Sequence, residues 1–261
     1  MNLSKIISMA AEITLSAVFI FYFFSCGGIQ NEFADKGYLD IEEPKEIDRE
    51  SCFTHTYFLG DSNTAHLSHE KYFAVSGLVS HDRVWTGKGS TLTLDANLIV
   101  QDPKTGEITE ISTLAKRVRP EYLVITLGYN GFSNPVSGKS RESLNRLFVS
   151  AYQKLITDIR TASPKTVILI QSIFPVKKGS AVQSPEMVNE RIDELNGFLR
   201  DIAQTNGLKY LDTQSVLRDP VTNCLKEEFS SKGSFYHTDG YHLSDTGLLE
   251  VLNYIKENAY E

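Results

Sequence analysis

A serine, an aspartate and a histidine occupy positions that suit nucleophilic catalysis. Ser62 follows an apolar run that ends in glycine, within residues 57–63 of sequence YFLGDSN. Asp239 and His242 are three residues apart on a glycine-containing turn near the C-terminus. A serine hydroxyl is a weak nucleophile until an imidazole accepts its proton and a third group fixes the imidazole tautomer. This pattern predicts that Ser62 supplies the nucleophile and that Asp239 orients His242.

Acyl transfer through a serine also needs hydrogen-bond donors for the oxyanion of the tetrahedral intermediate. Glycine-containing turns follow the second and third predicted strands, and they offer the Gly89 N–H and the Asn130 side-chain amide. The Ser62 N–H lies at a predicted helix start, where negative charge is favoured. The alternative for Asp61 and Ser62 is simple N-terminal capping of that helix, since both residue types favour the position.

A parallel sheet is needed to bring these residues to one edge, and the order of elements predicts it. Strands are predicted at residues 54–59, at a short segment from 83, and at 122–127, 166–170 and 208–211. Helices are predicted directly after Ser62, over 111–117 and 185–205, and after a cap at Ser244, while 97–109 form an inserted hairpin. Alternating strands and helices favour a parallel sheet covered on both sides.

One further helix, before the fourth strand, is predicted from an apolar stripe with a period of 3.6 residues. Its members are Leu144, Leu147, Phe148, Ala151, Tyr152, Leu155 and Ile159.

The composition is that of an ordinary globular domain with an acidic balance. The 261 residues are 41% hydrophobic and 23% charged, and the net charge is -7. Nucleic-acid binding needs a basic face, which this chain lacks. One domain over residues 53–261 is expected, preceded by an acidic, polar linker over 27–52.

The N-terminus predicts export. The uninterrupted apolar segment 13–24 has the length of a signal-peptide core, whereas a spanning helix wants about 20 residues. The following Ser-Cys-Gly-Gly at 25–28 resembles a bacterial lipobox, in which Cys26 would be lipidated. Residues 1–26 are thus a lipoprotein leader, an uncleaved anchor or an ordinary signal peptide. Each places the domain outside the cytoplasmic membrane, with membrane contact through the leader alone.

Four short motifs, in order along the chain, together resemble the blocks of the SGNH hydrolases, also called the GDSL esterase/lipase family. They are Gly60-Asp61-Ser62, Gly89, Gly128-x-Asn130 and Asp239-x-x-His242. The resemblance implies a three-layer α/β/α, flavodoxin-like fold with a five-stranded, mostly parallel sheet, and no cofactor or metal.

The same resemblance implies the roles of the site residues. Ser62 is the nucleophile, His242 the general base and acid, and the oxyanion hole consists of the Ser62 N–H, the Gly89 N–H and Asn130. Gly131 stands where the family commonly has aspartate after this asparagine, and Gly87 is an alternative to Gly89. In the flavodoxin-like strand order the first and third strands are neighbours, which independently brings Ser62 and Asn130 together.

Two other chemistries are less consistent with the sequence. The α/β-hydrolase motif Gly-x-Ser-x-Gly fails because Thr64 occupies its last position. The residues His66, His69, His81 and Asp82 suggest a metal cluster, but no recognisable ligand spacing is completed, so we interpret them as surface residues. Cys52 and Cys224 are expected at opposite ends of the sheet, too far apart for a disulfide, and are taken as free or inert.

These observations predict a serine esterase that acts on an acylated glycan or a small ester, with O-acetyl as the expected group. The alternatives within the same mechanism are an O-acyltransferase and a lipase or lysophospholipase; a non-catalytic glycan-binding domain is an alternative of another class. Tyr129, His237 and Tyr241 are candidates for the substrate pocket. The nearby aromatic residues are Trp85, Phe132 and Phe174, of which Phe174 is assigned to the core. The oligomeric state is left open.

Overall fold

A parallel sheet of five strands forms the centre of the part of the chain that the structure describes. The computed structural model describes residues 53–68, 78–133, 139–179, 184–231 and 240–260, all within the unit Asp48–Glu261. The predicted leader, Cys26, the linker and Cys52 lie outside these ranges. The strands are β1 (Thr56–Gly60), β2 (Val84–Trp85), β3 (Ile99–Gln101), β4 (Ile108–Glu110), β5 (Tyr122–Thr126), β6 (Val167–Gln171) and β7 (Lys209–Leu211).

The sheet order is β2-β1-β5-β6-β7, and every neighbouring pair is parallel. Gly60 at the end of β1 pairs with Thr126 at the end of β5. The prediction that the first and third strands of the sheet are neighbours is therefore confirmed. β3 and β4 form a separate antiparallel pair, as predicted for the inserted hairpin.

Helices connect the strands and cover the sheet. They are α1 (Ser62–His66), α2 (Ile111–Val118), α3 (Tyr129–Phe132), α4 (Arg141–Ala162), α5 (Pro185–Thr205), α6 (Gln214–Leu217) and α7 (Asp245–Asn258). Short 3₁₀ turns occupy His81–Arg83, Lys88–Ser90 and Glu227–Phe229. Across the described ranges, none of these helices is both long and apolar enough to span a membrane.

Alternating strand residues supply two apolar cores, one on each face of the sheet. Leu59 of β1 packs with α2, α4 and α5, while the preceding Phe58 packs with the layer that contains α7. In β5, Ile125 and Val124 divide in the same way. Successive side chains of a strand point to opposite faces, so these alternating burials produce a three-layer α/β/α fold.

The main differences from the sequence prediction are small and have clear causes. α5 has the predicted bounds, whereas β1 starts at Thr56 instead of residue 54 and continues to Gly60. Leu147, assigned to the apolar stripe of α4, is 43% exposed, because the stripe is wider than the face that the sheet covers. Cys224 is a buried free thiol.

Candidate active site

The turn from β1 into α1 places Ser62 at the carboxyl end of the sheet. A Cβ on Gly60 would lie 2.0 Å from Thr64 Oγ1 and 2.8 Å from the Thr126 carbonyl oxygen. Only a residue without a side chain lets α1 approach the ends of β1 and β5 this closely. Glycine at this position therefore has a packing reason that is independent of catalysis.

Asp61 is the N-cap of α1, and Ser62 is its first residue. The Asp61 carboxylate accepts a hydrogen bond from the Asn63 N–H, with Oδ1 and N 3.1 Å apart. Burial raises the pKa of Asp61 to about 6, against the opposing effects of the Asn63 hydrogen bond and the charge of His242. Asp61 therefore caps the N-terminus of α1, and the Ser62 hydroxyl can bond to another partner.

That partner is His242. Its Nε2 lies 2.8 Å from Ser62 Oγ, and the histidine is 5% exposed. The two residues are 180 positions apart in the chain and meet as the sequence predicts. Asp239 and His237 lie outside the described residues, so their roles as orienting and pocket residues stay predictions.

The Asn63 side chain connects α1, which carries Ser62, to the backbone around His242. This role is not evident from the sequence. Its Nδ2 donates to the Tyr241 carbonyl at 3.0 Å, and its Oδ1 accepts from the Leu243 N–H at 2.9 Å. These partners are the residues on either side of His242. The amide is thus bonded at both ends to the backbone that carries the imidazole.

Asn130 lies at the same edge of the sheet, in the irregular turn α3 that follows β5. Its Nδ2 donates one hydrogen bond to the Leu92 carbonyl, at 3.1 Å. A primary amide has two N–H donors, so this bond orients the group and leaves the second donor for another acceptor. The arrangement is compatible with the predicted oxyanion role.

The structure explains why glycine can follow Asn130. Gly131 has a φ of +85°, and a Cβ there would lie 3.0 Å from Thr93 Cγ2. An aspartate at this position would be strained and crowded. The turn is held in other ways: Ser133 Oγ donates to the Tyr129 carbonyl at 2.6 Å, and Arg191 Nε donates to the Phe132 carbonyl at 3.1 Å.

Gly87 and Gly89 differ in what their positions require. A Cβ on Gly87 would lie 2.0 Å from the Thr91 carbonyl oxygen, so this glycine is needed for close packing. Gly89 has a φ of +68°, and a Cβ there would meet no described atom within 4 Å. Open space around Gly89 suits a backbone N–H that faces a ligand, and its assignment to the oxyanion hole stays a prediction.

Two tyrosines flank the site. The rings of Tyr129 and Tyr241 stack with centroids 5.3 Å apart, and the Tyr241 ring lies 4.3 Å from that of His242. Both tyrosines line a cavity of about 10 Å³. Its lining consists of Asp61, Asn63, Thr126, Leu127, Tyr129, Ile173, Phe174 and Tyr241. In contrast, Trp85 is fully buried and Phe132 is 7% exposed, so both belong to the core.

The surface interpretation of the additional histidines is wrong for His66. His66 is 2% exposed, and its ring centroid lies 5.0 Å from that of His242. It is buried because α1 packs beside the segment that carries His242. His81 is exposed as predicted, and His69 lies outside the described ranges. Within those ranges, no group of three His, Cys, Asp or Glu side chains is arranged to hold a metal ion.

Several solved structures are similar to the chain. A Streptococcus pneumoniae protein whose name refers to platelet activating factor has 16% identity and a TM-score of 0.49, over 95% of this chain and 99% of that one. A GDSL-like lipase from Bacteroides thetaiotaomicron has 13% identity and a TM-score of 0.47, over 77% and 85%. Phospholipase A1 from Streptomyces albidoflavus has 13% identity and a TM-score of 0.42, over 78% and 98%.

No curated protein matches the chain in sequence. The sequence model of a family does match it, from residue 58 in β1 to residue 248 in α7. The matched range contains Ser62, Asn130 and His242 and covers most of the chain. The chain therefore belongs to the GDSL-like lipase/acylhydrolase family.

Proposed function

We propose that this serine ester hydrolase removes O-acetyl groups from a cell-surface or extracellular glycan, and that it is exported and held at the membrane by its N-terminus. Membership of the family makes the chain an acylhydrolase. The observation that carries the mechanism is the distance of 2.8 Å between Ser62 Oγ and His242 Nε2.

The first half-reaction acylates Ser62. His242 Nε2 accepts the Ser62 hydroxyl proton as Oγ attacks the ester carbonyl carbon, and the carbonyl oxygen becomes an oxyanion. The Ser62 N–H, the Gly89 N–H and the second N–H of the Asn130 amide are the proposed partners of that oxyanion. His242 then gives its proton to the leaving sugar oxygen as the carbon–oxygen bond breaks, which leaves an acetyl group on Ser62.

The second half-reaction restores the enzyme. His242 accepts a proton from water as the water oxygen attacks the acyl carbon, and the same donors stabilise the second oxyanion. Collapse of this intermediate returns the proton to Ser62 Oγ and releases acetate. The two steps use the same base and the same donors.

A small cavity lies at the turn from β1 into α1, and its lining includes Asp61 and Asn63 but not Ser62. Its size favours the proposal of a short acyl group. A volume of about 10 Å³ is close to the room that one water molecule needs. The residues on either side of Ser62 contribute to its wall, and the stacked Tyr129 and Tyr241 rings form another part of it. An acetyl methyl group fits such a space, whereas a long acyl chain does not. The half-buried tyrosine rings also offer aromatic surface to a sugar.

The apolar segment 13–24 and the Ser-Cys-Gly-Gly at 25–28 support export and tethering. The acidic linker over 27–52 would then separate the domain from the membrane. A glycan outside the cell is the substrate class that fits such a placement. Labelled palmitate incorporated into the full chain, and lost in Cys26→Ala, is the expected result. Membrane retention of Cys26→Ala without any lipid would instead favour an uncleaved anchor.

The test of function is an acyl-chain profile on p-nitrophenyl esters together with acetate release from O-acetylated glycans. We expect acetyl to be the preferred chain and kcat to fall at least about 10⁴-fold in Ser62→Ala and His242→Ala. Ser112→Ala and His55→Ala, which change residues outside the site, serve as matched controls. A steep preference for long chains would contradict the acetyl assignment, and transfer of acetyl to an added glycan would favour the acyltransferase.

A further inference from the structure

The Asn63 side chain links α1, which presents Ser62, to the backbone of residues 240–244, the His242 loop, through two hydrogen bonds. We infer that Asn63 is a positioning residue that sets the distance between nucleophile and base. The inference rests on the proposed function, because it matters only if Ser62 and His242 react. We call the two hydrogen bonds from the Asn63 side chain to Tyr241 and Leu243 the Asn63 clamp.

The clamp brackets His242 on both sides. The Asn63 amide donates to the Tyr241 carbonyl at 3.0 Å and accepts from the Leu243 N–H at 2.9 Å. Two bonds from one planar group, to the residues before and after His242, fix both the position and the direction of the intervening backbone. With the backbone fixed in this way, the His242 side-chain rotamer brings Nε2 to Ser62 Oγ.

Asn63 itself is also held in a fixed position. Asn63 is 8% exposed, and its backbone N–H is bonded to Asp61 Oδ1 at 3.1 Å. Asn63 also follows Ser62 directly within α1. Movement of the His242 loop relative to Ser62 would therefore have to break hydrogen bonds in a buried environment, where unpaired polar groups are costly.

Other backbone bonds between the His242 loop and described residues lead to other parts of the fold. The Ser231 N–H donates to the His242 carbonyl at 2.9 Å, and the Lys177 N–H donates to the Gly240 carbonyl at 2.7 Å. These bonds hold the loop against neighbouring segments, but they do not reach α1. The clamp therefore relates the loop to the nucleophile itself.

The experiment compares Asn63→Leu with the wild-type full chain on p-nitrophenyl acetate. Leucine has a similar volume and removes both bonds. A misplacement of about 1 Å between reacting groups costs about 100-fold in rate, so we expect kcat to fall about 100-fold while KM changes less than about threefold. The rate of Ser62 labelling by a fluorophosphonate should fall in parallel, since it depends on the same pair.

Asn189→Leu is the matched control. The Asn189 amide also makes two bonds to backbone, accepting from the Val176 N–H and donating to the Val176 carbonyl, both at 2.9 Å. Val176 carries no group of the site. This variant should lose thermal stability to a similar extent and keep kcat within about threefold of wild type.

Asn63→Asp is a second test variant, used if Asn63→Leu does not fold. A carboxylate keeps the acceptor for Leu243 but has no N–H for Tyr241, so kcat should fall about tenfold or more with KM little changed. A kcat within about threefold of wild type in a folded Asn63 variant would overturn the inference. An equal loss of kcat in Asn189→Leu would also overturn it. A wild-type chain without esterase activity would instead overturn the proposed function, and the clamp with it.

Discussion

At the scale of single residues, three consecutive side chains in the site have different roles. Asp61 caps α1 through the Asn63 N–H, Ser62 contacts His242, and Asn63 holds the backbone around that histidine. Three consecutive side chains therefore have three different partners. This division explains how a serine at a helix start can serve as a nucleophile, because the residue before it, Asp61, accepts the capping hydrogen bond.

The buried Asp61 carboxyl predicts a pH dependence of stability. Its pKa rises from 3.8 to about 6 on folding because burial disfavours the charged form. The folded protein thus binds this proton more tightly, and the stability from neutral Asp61 is complete below pH 3.8 and lost as the pH rises through 6. At about 1.4 kcal/mol per pKa unit the loss amounts to about 3 kcal/mol.

Asp61→Asn tests this because the amide keeps the capping oxygen but does not titrate. The free energy of unfolding, measured by urea denaturation, should favour the variant over wild type increasingly between pH 4 and 6. Asp219→Asn provides a control of opposite sign at lower pH, because hydrogen bonds from Thr222 lower the pKa of Asp219 below its ordinary 3.8, so wild type should lose stability relative to this variant as the pH falls below 3.8. A constant difference between Asp61→Asn and wild type across this pH range would show that Asp61 ionises normally.

Residues with a distinctive chemistry can be predicted from the sequence. Residues whose role depends on which distant segments they contact cannot. Ser62, Asn130 and His242 are predicted from residue type and motif order. Asn63 is not, because an asparagine in the first turn of a helix is commonplace and its partners are 178 and 180 positions away. His66 is missed for the same reason, since its burial depends on a distant loop packing over α1.

At the scale of elements, buried asparagines and a tyrosine bond to backbone groups just beyond the ends of two strands. Asn196 of α5 bonds to both the N–H and the carbonyl of Ile173, and Asn189 does the same for Val176. The segment that leaves β6 therefore has its backbone groups satisfied by the helix packed against it. Side chains replace the missing sheet partners beyond the last paired residue.

Tyr152 of α4 supports the end of β5 in the same way. Its hydroxyl donates to the Leu127 carbonyl at 2.8 Å and accepts from the Leu127 N–H at 3.2 Å. Tyr152→Phe leaves both buried backbone groups without this partner and should lower the free energy of unfolding by about 2 kcal/mol. An unchanged denaturation midpoint with an unchanged slope would contradict this role.

Gly128 lies between β5 and the turn that carries Asn130. Its φ is +120°, and a Cβ would lie 2.6 Å from Phe148 Cε2 and 2.9 Å from Ile173 Cδ1. Gly128→Ala should therefore destabilise the fold by about 3 kcal/mol, through overpacking and backbone strain.

Gly197→Ala provides the contrast in the same thermal denaturation experiment. Gly197 lies within α5, where a Cβ meets no described atom within 4 Å outside its neighbours and its own helix. Alanine is the better helix former, so this variant should gain about 0.5–1 kcal/mol. Equal effects of the two substitutions would mean that crowding at Gly128 does not matter.

Most elements are predictable from the sequence because their patterns are long and strongly periodic. The stripe of α4 and the capping serine of α7 identify those helices, and Ser244 Oγ indeed accepts from the Gly247 N–H at 3.2 Å. Strand ends are less predictable. They depend on where neighbouring strands stop pairing, as in β6, which continues to Gln171 because that residue pairs with Leu211.

At the scale of the whole molecule, the parallel sheet brings together residues that are far apart in the chain. All five strands of the sheet point the same way, so the segments that follow β1 and β5 emerge at one edge. Ser62 and Asn130 are carried there by neighbouring strands, and His242 arrives from the segment before α7. The alternation of strands and helices predicts this arrangement, whereas the precise contact between Ser62 and His242 requires the folded loops.

Mass spectrometry of the protein after treatment with a fluorophosphonate tests directly whether His242 activates Ser62 as a nucleophile. If Ser62 is a nucleophile activated by His242, wild type should gain one adduct, mapped to the peptide that contains Ser62. Ser62→Ala should gain none, and His242→Ala should react at least about 100-fold more slowly while still folded. Folded wild-type protein that stays unlabelled at Ser62, or a His242→Ala variant that reacts as fast as wild type, would show that Ser62 is not a nucleophile activated by His242.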